Sequence, residues 1–300
     1  MLEERRRNDD TLPGKIWWLA RQTRRRMQAD RTARLGAALA FYAVFLIAPV
    51  LMIVLGVVGL VYDAPTARAQ VIQEARALFG SQLARSLQVI IESAAESERL
   101  GATVIGVIAL ILSSTAFFNH LQGALNTVWG LSGRRRRGLG DFARNRLLAL
   151  LFLFILSALV IGVLAADSAM IVARRRLIDV LPGFEGTVFE EILRLGFSIV
   201  VLRFGMVTLL TGLIFKVLPD AKIEWRDVWV GAAVTALLLL IGQILIGVML
   251  ELSRLASAYG ALGSLVVVLL WVYYSAQVFF AGAEFTYVYA KEHGDEITRR

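Results

Sequence analysis

One arginine lies deep inside an apolar segment of the sequence. Arg203 lies about ten residues into the apolar run at about 193–217, on the order of 15 Å along a helix that rises 1.5 Å per residue. A charged group is costly in hydrocarbon and normally faces protein or water, so Arg203 is a functional candidate. It would bind an anionic group, such as a lipid phosphate or carboxylate, in a cavity. The alternative is a structural pair, for which the candidate partners are a backbone carbonyl, Gln243, Asp167 and Glu251.

A carboxyl group lies near the end of the last apolar run, at about 261–290. Glu284 either carries a proton during transport or forms an ion pair that fixes the end of the helix. Its position near the membrane interface favours the ion pair. Tyr273 in the same run, with Tyr42 in the first run, either contacts a substrate or packs between helices.

Polar side chains cluster in the inner part of the run at about 101–129. Asn119, Gln122 and Asn126 are spaced i, i+3 and i+7 and share one helix face, and His120 lies beside them. This face either lines a polar cavity, where His120 would titrate near neutral pH, or forms hydrogen bonds between helices. Its polarity also allows the helix to bend or re-enter.

The residue types needed for most catalytic sites are missing. The chain has no Cys and only 2 His, which excludes thiol catalysis, Cys-ligated metals and the usual His-based sites. No phosphate-binding loop, zinc-protease motif, nucleophile elbow or acidic metal cluster occurs in the sequence. We therefore expect a protein that is not an enzyme and that needs no metal or cofactor.

Transmembrane helices must position these residues. Of the 300 residues, 57% are hydrophobic and only 19% charged, where soluble domains carry nearer a quarter charged residues. Apolar runs long enough to span a bilayer occur at about 36–62, 101–129, 147–170, 193–217, 228–250 and 261–290. The predicted fold class is an all-α polytopic integral membrane protein with six transmembrane helices.

The predicted domains are a basic N-terminal segment at 1–35, a six-helix transmembrane domain at 36–290 and a tail at 291–300. The first segment lacks the apolar core and cleavage site of a signal peptide. Its Ile16 and Trp17 stand near several arginines, which favours a helix at the lipid headgroups over a solvated tail. Residues 66–98 predict an amphipathic helix pair, broken at Gly80-Ser81, that lies on the outer leaflet or caps the bundle.

The net charge of +8 is explained mainly by topology. Most Lys and Arg fall in the loops on the side of the two termini, which predicts that both termini are cytoplasmic. Arg174, Arg175 and Arg176 are discordant, since they fall on the outer side. The predicted partners are membrane lipids with anionic headgroups at the cytoplasmic basic loops, together with a possible homo-oligomer. We expect no binding to nucleic acid.

Several short motifs occur in order between residues 30 and 290. The second half contains Phe215-Lys216-Val217-Leu218-Pro219, Trp225-Arg226, Tyr259-Gly260-Ala261-Leu262-Gly263, Trp271-Val272-Tyr273-Tyr274 and Gly282-Ala283-Glu284. The first half contains Ala38-Leu39-Ala40-Phe41-Tyr42 before Pro49, and Asn126 with Trp129. Together these motifs resemble the YihY/virulence factor BrkB family of bacterial inner-membrane proteins.

The resemblance implies a six-helix protein of the bacterial inner membrane, linked to virulence and serum resistance. An older family label, ribonuclease BN, would imply RNA cleavage, but this chain has neither a metal-ligand set nor paired histidines for it. The preferred function is a transporter or lipid-handling protein for an anionic amphiphile or another anionic solute. The alternative is a non-transporting membrane scaffold or envelope assembly factor, which predicts a closed bundle whose polar groups satisfy one another.

Overall fold

The computed structural model describes residues 12–60, 62–95, 100–131, 147, 162, 197–253, 259, 262–293 and 298–299. The helices are α1 (Leu12–Ala29), α2 (Thr32–Val58), α3 (Ala64–Phe79), α4 (Ser81–Ala95), α5 (Leu100–Val128), α6 (Phe197–Val217), α7 (Trp225–Ser253) and α8 (Gly263–Glu292). Two short strands, β1 (Ala221–Lys222) and β2 (Thr298–Arg299), pair antiparallel. The protein is therefore almost entirely helical, and the strand pair is an addition to the all-α prediction.

The predicted spans agree with the observed helices to within a few residues at α2, α5, α6, α7 and α8. The span predicted at 147–170 lies outside the described residues except for its two helical positions, 147 and 162. Within the described ranges, the stretches Trp225–Leu250 and Gly263–Glu292 are long and apolar enough to cross a membrane. The bent pair of α1 and α2 adds a third if it counts as one span. The total of six transmembrane helices stays a prediction.

A sharp bend separates α1 from α2. Arg31 has φ 53, in the left-handed region that residues other than glycine seldom adopt. Gly14–Ala29 and Thr32–Ala48 consequently meet at 68°. The predicted boundary at residue 35 thus falls inside α2, which begins at Thr32.

A close crossing joins α7 to α8, which is the central helix and also contacts α1, α2, α4 and α5. A Cβ atom on Gly231 would collide with Thr286, and a Cβ atom on Gly282 would collide with Thr235. Thr235 donates to the Gly231 carbonyl at 2.7 Å and Thr286 to the Gly282 carbonyl at 2.8 Å. Each threonine thus fills the space above a glycine of the other helix, a small-residue packing typical of membrane helices.

The α3–α4 pair packs at one end of this bundle, where α7 ends and α8 begins. Gly80, with φ 86, separates the two helices, at the predicted break. Apolar residues of the pair form one cluster with Ile246, Leu250, Val267 and Val268 of α7 and α8. Others form a second cluster with Val54 and Val58 of α2. We call this the α3–α4 end, and the opposite end, where α7 begins and α8 ends, the α1 end.

Candidate functional site

Arg203 forms an ion pair with Glu74 of α3. One guanidinium nitrogen, Nη2, donates to both carboxylate oxygens, at 3.2 and 3.1 Å. The side chains are only 20% and 5% exposed, respectively. The pair therefore ties α6 to α3 inside the protein.

This partner differs from the expected ones. Of the expected acids, Asp167 and the side chain of Glu251 lie outside the described residues. Gln243 lies on α7, partly buried. The α3–α4 pair packs against α7 and α8, and this packing brings the carboxylate of Glu74 into contact with Arg203.

Glu284 pairs with Arg26 of α1 and is fully buried, with 0% exposure. Arg26 Nε donates to Glu284 Oε2 at 2.9 Å. The Nη2 of the same arginine donates to the Val128 carbonyl at 2.9 Å and to Asp30 at 3.3 Å. The guanidinium carbon also lies 3.8 Å from the centre of the Tyr287 ring. One arginine thus joins α1 to α5 and α8.

The second oxygen of Glu284 is not used in this network. Glu284 Oε1 is buried, and none of the described residues donates a hydrogen bond to it. A buried acceptor without a donor is uncommon and calls for an explanation. Since a carboxyl oxygen can carry a proton, the geometry is compatible with both roles expected for Glu284.

Asn126 and Gln122 bind the segment that links α6 to α7. The Asn126 side chain donates to Asp220 Oδ2 at 3.0 Å and accepts from the Asp220 backbone N–H at 2.9 Å. Gln122 donates to Asp220 Oδ1 at 3.4 Å. These contacts follow the hydrogen-bonding alternative, and α5 is one helix from Leu100 to Val128.

Replacing Asn126 by alanine should lower the free energy of unfolding by about 1–3 kcal/mol, because buried partners lose their hydrogen bonds. Thr127→Ala is a matched control on the same helix, since within the described ranges the Thr127 hydroxyl bonds only the Gly123 carbonyl of α5. Thermal unfolding in detergent would measure both. Equal melting temperatures for the two variants would contradict a stabilising role for Asn126.

The remaining polar candidates on α5 and α8 are distributed over several contacts. His120 Nε2 lies 3.1 Å from the Leu35 carbonyl oxygen of α2, and its ring is 5.5 Å from that of Tyr42. Asn119 is partly buried on α5, and Tyr273 is partly buried on α8. The described contact of His120 thus joins α5 to α2, whereas those of Asn126 and Gln122 join α5 to the segment after α6.

The residues of the family motifs divide between buried and exposed positions. Trp129 is buried, 5.8 Å from the Phe215 ring, and Pro219 is buried just after α6. Trp225 is exposed and stacks on Trp229. Two further motif residues are exposed, Arg226 in the first turn of α7 and Tyr259. Pro49 lies within α2, Gly263 begins α8, and Trp271 is partly buried in α8. Gly260 lies outside the described residues.

A pocket of about 270 Å³ lies beside the end of α2. Its lining is mainly apolar and includes one charged residue: Met52, Leu55, Gly56, Gly59, Ala64, Ala67, Arg68 and Ile91. Arg68 is exposed and forms no ion pair or hydrogen bond within the described part of the chain. A Cβ atom on Gly56 would meet no atom within 4 Å. An apolar pocket with one cation suits a ligand that has an apolar body and an anionic group.

The sequence interpretation missed the residues of this pocket. Arg68 lies in the segment at 66–98, which the sequence predicted only as an amphipathic helix pair. Only the fold brings Arg68 to the end of α2. Across the described ranges, no group of three or more His, Cys, Asp or Glu side chains could hold a metal ion.

Comparisons with known proteins agree on one family. The family model described as virulence factor BrkB matches residues 23–300. A UPF0761 membrane protein of Acinetobacter baylyi is 22% identical over 92% of this chain and 63% of its own length. One of Chromobacterium violaceum is 25% identical over 94% of this chain and 64% of its own length. The chain thus spans about three fifths of the length of these relatives. No solved structure matches the chain significantly.

Proposed function

The chain belongs to the virulence factor BrkB family, and from this premise we propose that it is an inner-membrane protein that binds and moves an anionic amphiphile. Its relatives are called membrane proteins, and its described helices include apolar stretches of spanning length. In this proposal both termini are cytoplasmic, and the protein acts without enzymatic chemistry, metal or cofactor.

The pocket beside α2 is the observation that carries the proposal. Its apolar walls would hold the tail of an amphiphile, and Arg68 would bind the anionic group. The 27 residues of α2 extend about 40 Å at 1.5 Å per residue, which exceeds the ~30 Å hydrocarbon core. The end of α2 would therefore lie near the headgroups, where a cation meets the charged end of a lipid.

Filling the pocket should weaken binding. We expect Gly56→Leu to lower the affinity for a fluorescent fatty acid by tenfold or more, a loss of about 1.4 kcal/mol, because its side chain would occupy the open space. Gly205→Leu is the matched control, since Gly205 on α6 is also exposed with open space around it. Binding to purified protein would be measured by fluorescence. Equal affinities for the two variants would exclude this pocket.

The charge of the ligand can be tested at Arg68. We expect Arg68→Gln to reduce the affinity for the fatty acid about fivefold, because each basic residue near a headgroup contributes about 1 kcal/mol to binding. Binding of the corresponding uncharged fatty alcohol should not change.

A second candidate function, a non-transporting scaffold, is supported by the internal contacts of the polar residues. Arg203, Asn126 and His120 each contact another protein group, as a closed bundle requires. The two candidates differ in reconstituted liposomes. Movement of a labelled anionic lipid between leaflets supports the transporter, and binding without movement supports the scaffold.

A further inference from the structure

The arginines of α1 divide into two groups with different surroundings. Arg26 faces inward and contacts Glu284 and the Val128 carbonyl. Arg21, Arg24 and Arg25 are exposed and form no hydrogen bond or ion pair within the described ranges. The inward arginine fixes the helix, and the outward ones are available to an external anion.

The outward face also carries two large apolar side chains. Trp17 is 70% exposed and Ile16 is 66% exposed. Their neighbours Trp18 and Leu19 pack against the buried cluster of the bundle, so α1 is held by its other face. Arginines beside exposed tryptophan and isoleucine are the pattern of a helix that lies in the interface of an anionic membrane.

The bend at Arg31 turns α1 towards the membrane plane. The two helices meet at 68°. If α2 crosses the bilayer with a usual tilt of about 20°, α1 lies within about 40° of the membrane plane. The exposed, stacked Trp225 and Trp229 lie at the same end of the bundle, as expected for an aromatic belt at the headgroups.

We propose that the outward face of α1, formed by Ile16, Trp17, Arg21, Arg24 and Arg25, is a docking surface for anionic phospholipid headgroups. The apolar side chains enter the boundary between headgroups and acyl chains, and the three arginines bind lipid phosphates. This surface lies at the opposite end of the bundle from the pocket beside α2 and does not depend on the function of that pocket.

Site-directed spin labelling can test the surface, because the chain contains no Cys. Ala20→Cys gives a single label on the exposed face of α1 and retains the residues of the proposed surface. The full chain would be placed in nanodiscs of phosphatidylcholine, with or without phosphatidylglycerol. Accessibility to oxygen and to a water-soluble nickel chelate then reports the depth of the label.

We expect phosphatidylglycerol to raise the oxygen accessibility and to lower the nickel accessibility of this label. Replacing Arg21, Arg24 and Arg25 by glutamine should abolish the response to phosphatidylglycerol, with a loss on the order of 100-fold in the preference for anionic lipid. The melting temperature should stay that of the parent, because Arg26 is retained. Replacing Arg76 and Arg85, exposed arginines of α3 and α4, by glutamine is the matched control and should leave the response intact.

Two results would overturn the proposal. In the first, the label responds to phosphatidylglycerol equally in the parent and in the triple variant. In the second, the label is shielded from both reagents in detergent as well as in nanodiscs, which would mean that protein covers this face.

Discussion

Replacing Gly282 by alanine is expected to lower the free energy of unfolding by about 1–3 kcal/mol, and replacing it by leucine is expected to abolish the folded protein. The added Cβ atom would lie 2.8 Å from the Cβ atom of Thr235. Thr235 cannot easily move aside, because its β-branched side chain is stiff and its hydroxyl is bonded to the Gly231 carbonyl. Size-exclusion chromatography and thermal unfolding in detergent would measure the loss.

The symmetry of the crossing provides two further variants. Gly231→Ala should be as destabilising as Gly282→Ala, since its Cβ atom would also lie 2.8 Å from a threonine Cβ atom, that of Thr286. Gly247→Ala is the matched control on α7, because no atom lies within 4 Å of the added Cβ atom. A Gly282→Ala protein as stable as Gly247→Ala would show that the helices do not cross this closely.

Removing Arg203 should destabilise the protein more strongly than Gly282→Ala does. Arg203→Gln removes the guanidinium that pairs with Glu74, which is only 5% exposed, and breaking a buried pair in this way costs about 3–5 kcal/mol. We therefore expect Arg203→Gln and Glu74→Gln to accumulate poorly and to melt at lower temperature. Arg76→Gln, which removes an exposed charge on α3, should leave the melting temperature unchanged.

A double variant separates the ion pair from a binding role of Arg203. Replacing both residues by leucine removes both buried charges, so it should be more stable than either single variant. If Arg203→Gln is instead folded and stable but no longer binds the fatty acid, Arg203 serves a ligand and the structural interpretation is wrong.

The sequence predicted most of the helices because long apolar runs determine where a chain can cross a bilayer. The boundaries of α7 and α8 were predicted to within a few residues for this reason, and the helix break at Gly80 was predicted within the amphipathic segment. The strand pair was not predicted, since two-residue strands have no periodic pattern to detect.

The partners of the charged residues were much harder to predict. Glu74 and Arg203 lie 129 residues apart in the chain, and nothing in the local pattern around either one selects the other. Glu74 looked like one of several charges on an amphipathic helix, and its burial depends on how the α3–α4 pair packs against α7 and α8. Partner choice is a property of tertiary packing, whereas the existence of a helix is largely local.

The contact between Arg26 and Glu284 also constrains the order of assembly during synthesis. The two residues are 258 positions apart, and a chain elongating at about 5–20 residues per second needs roughly 10 to 50 s to cover that distance. Throughout this interval the ribosome has made α1 but has not yet made Glu284. The contact between α1 and Glu284 therefore forms only after the ribosome has produced α8, so a chain stalled before α8 keeps the local Arg26–Asp30 pair and lacks the Arg26–Glu284 pair.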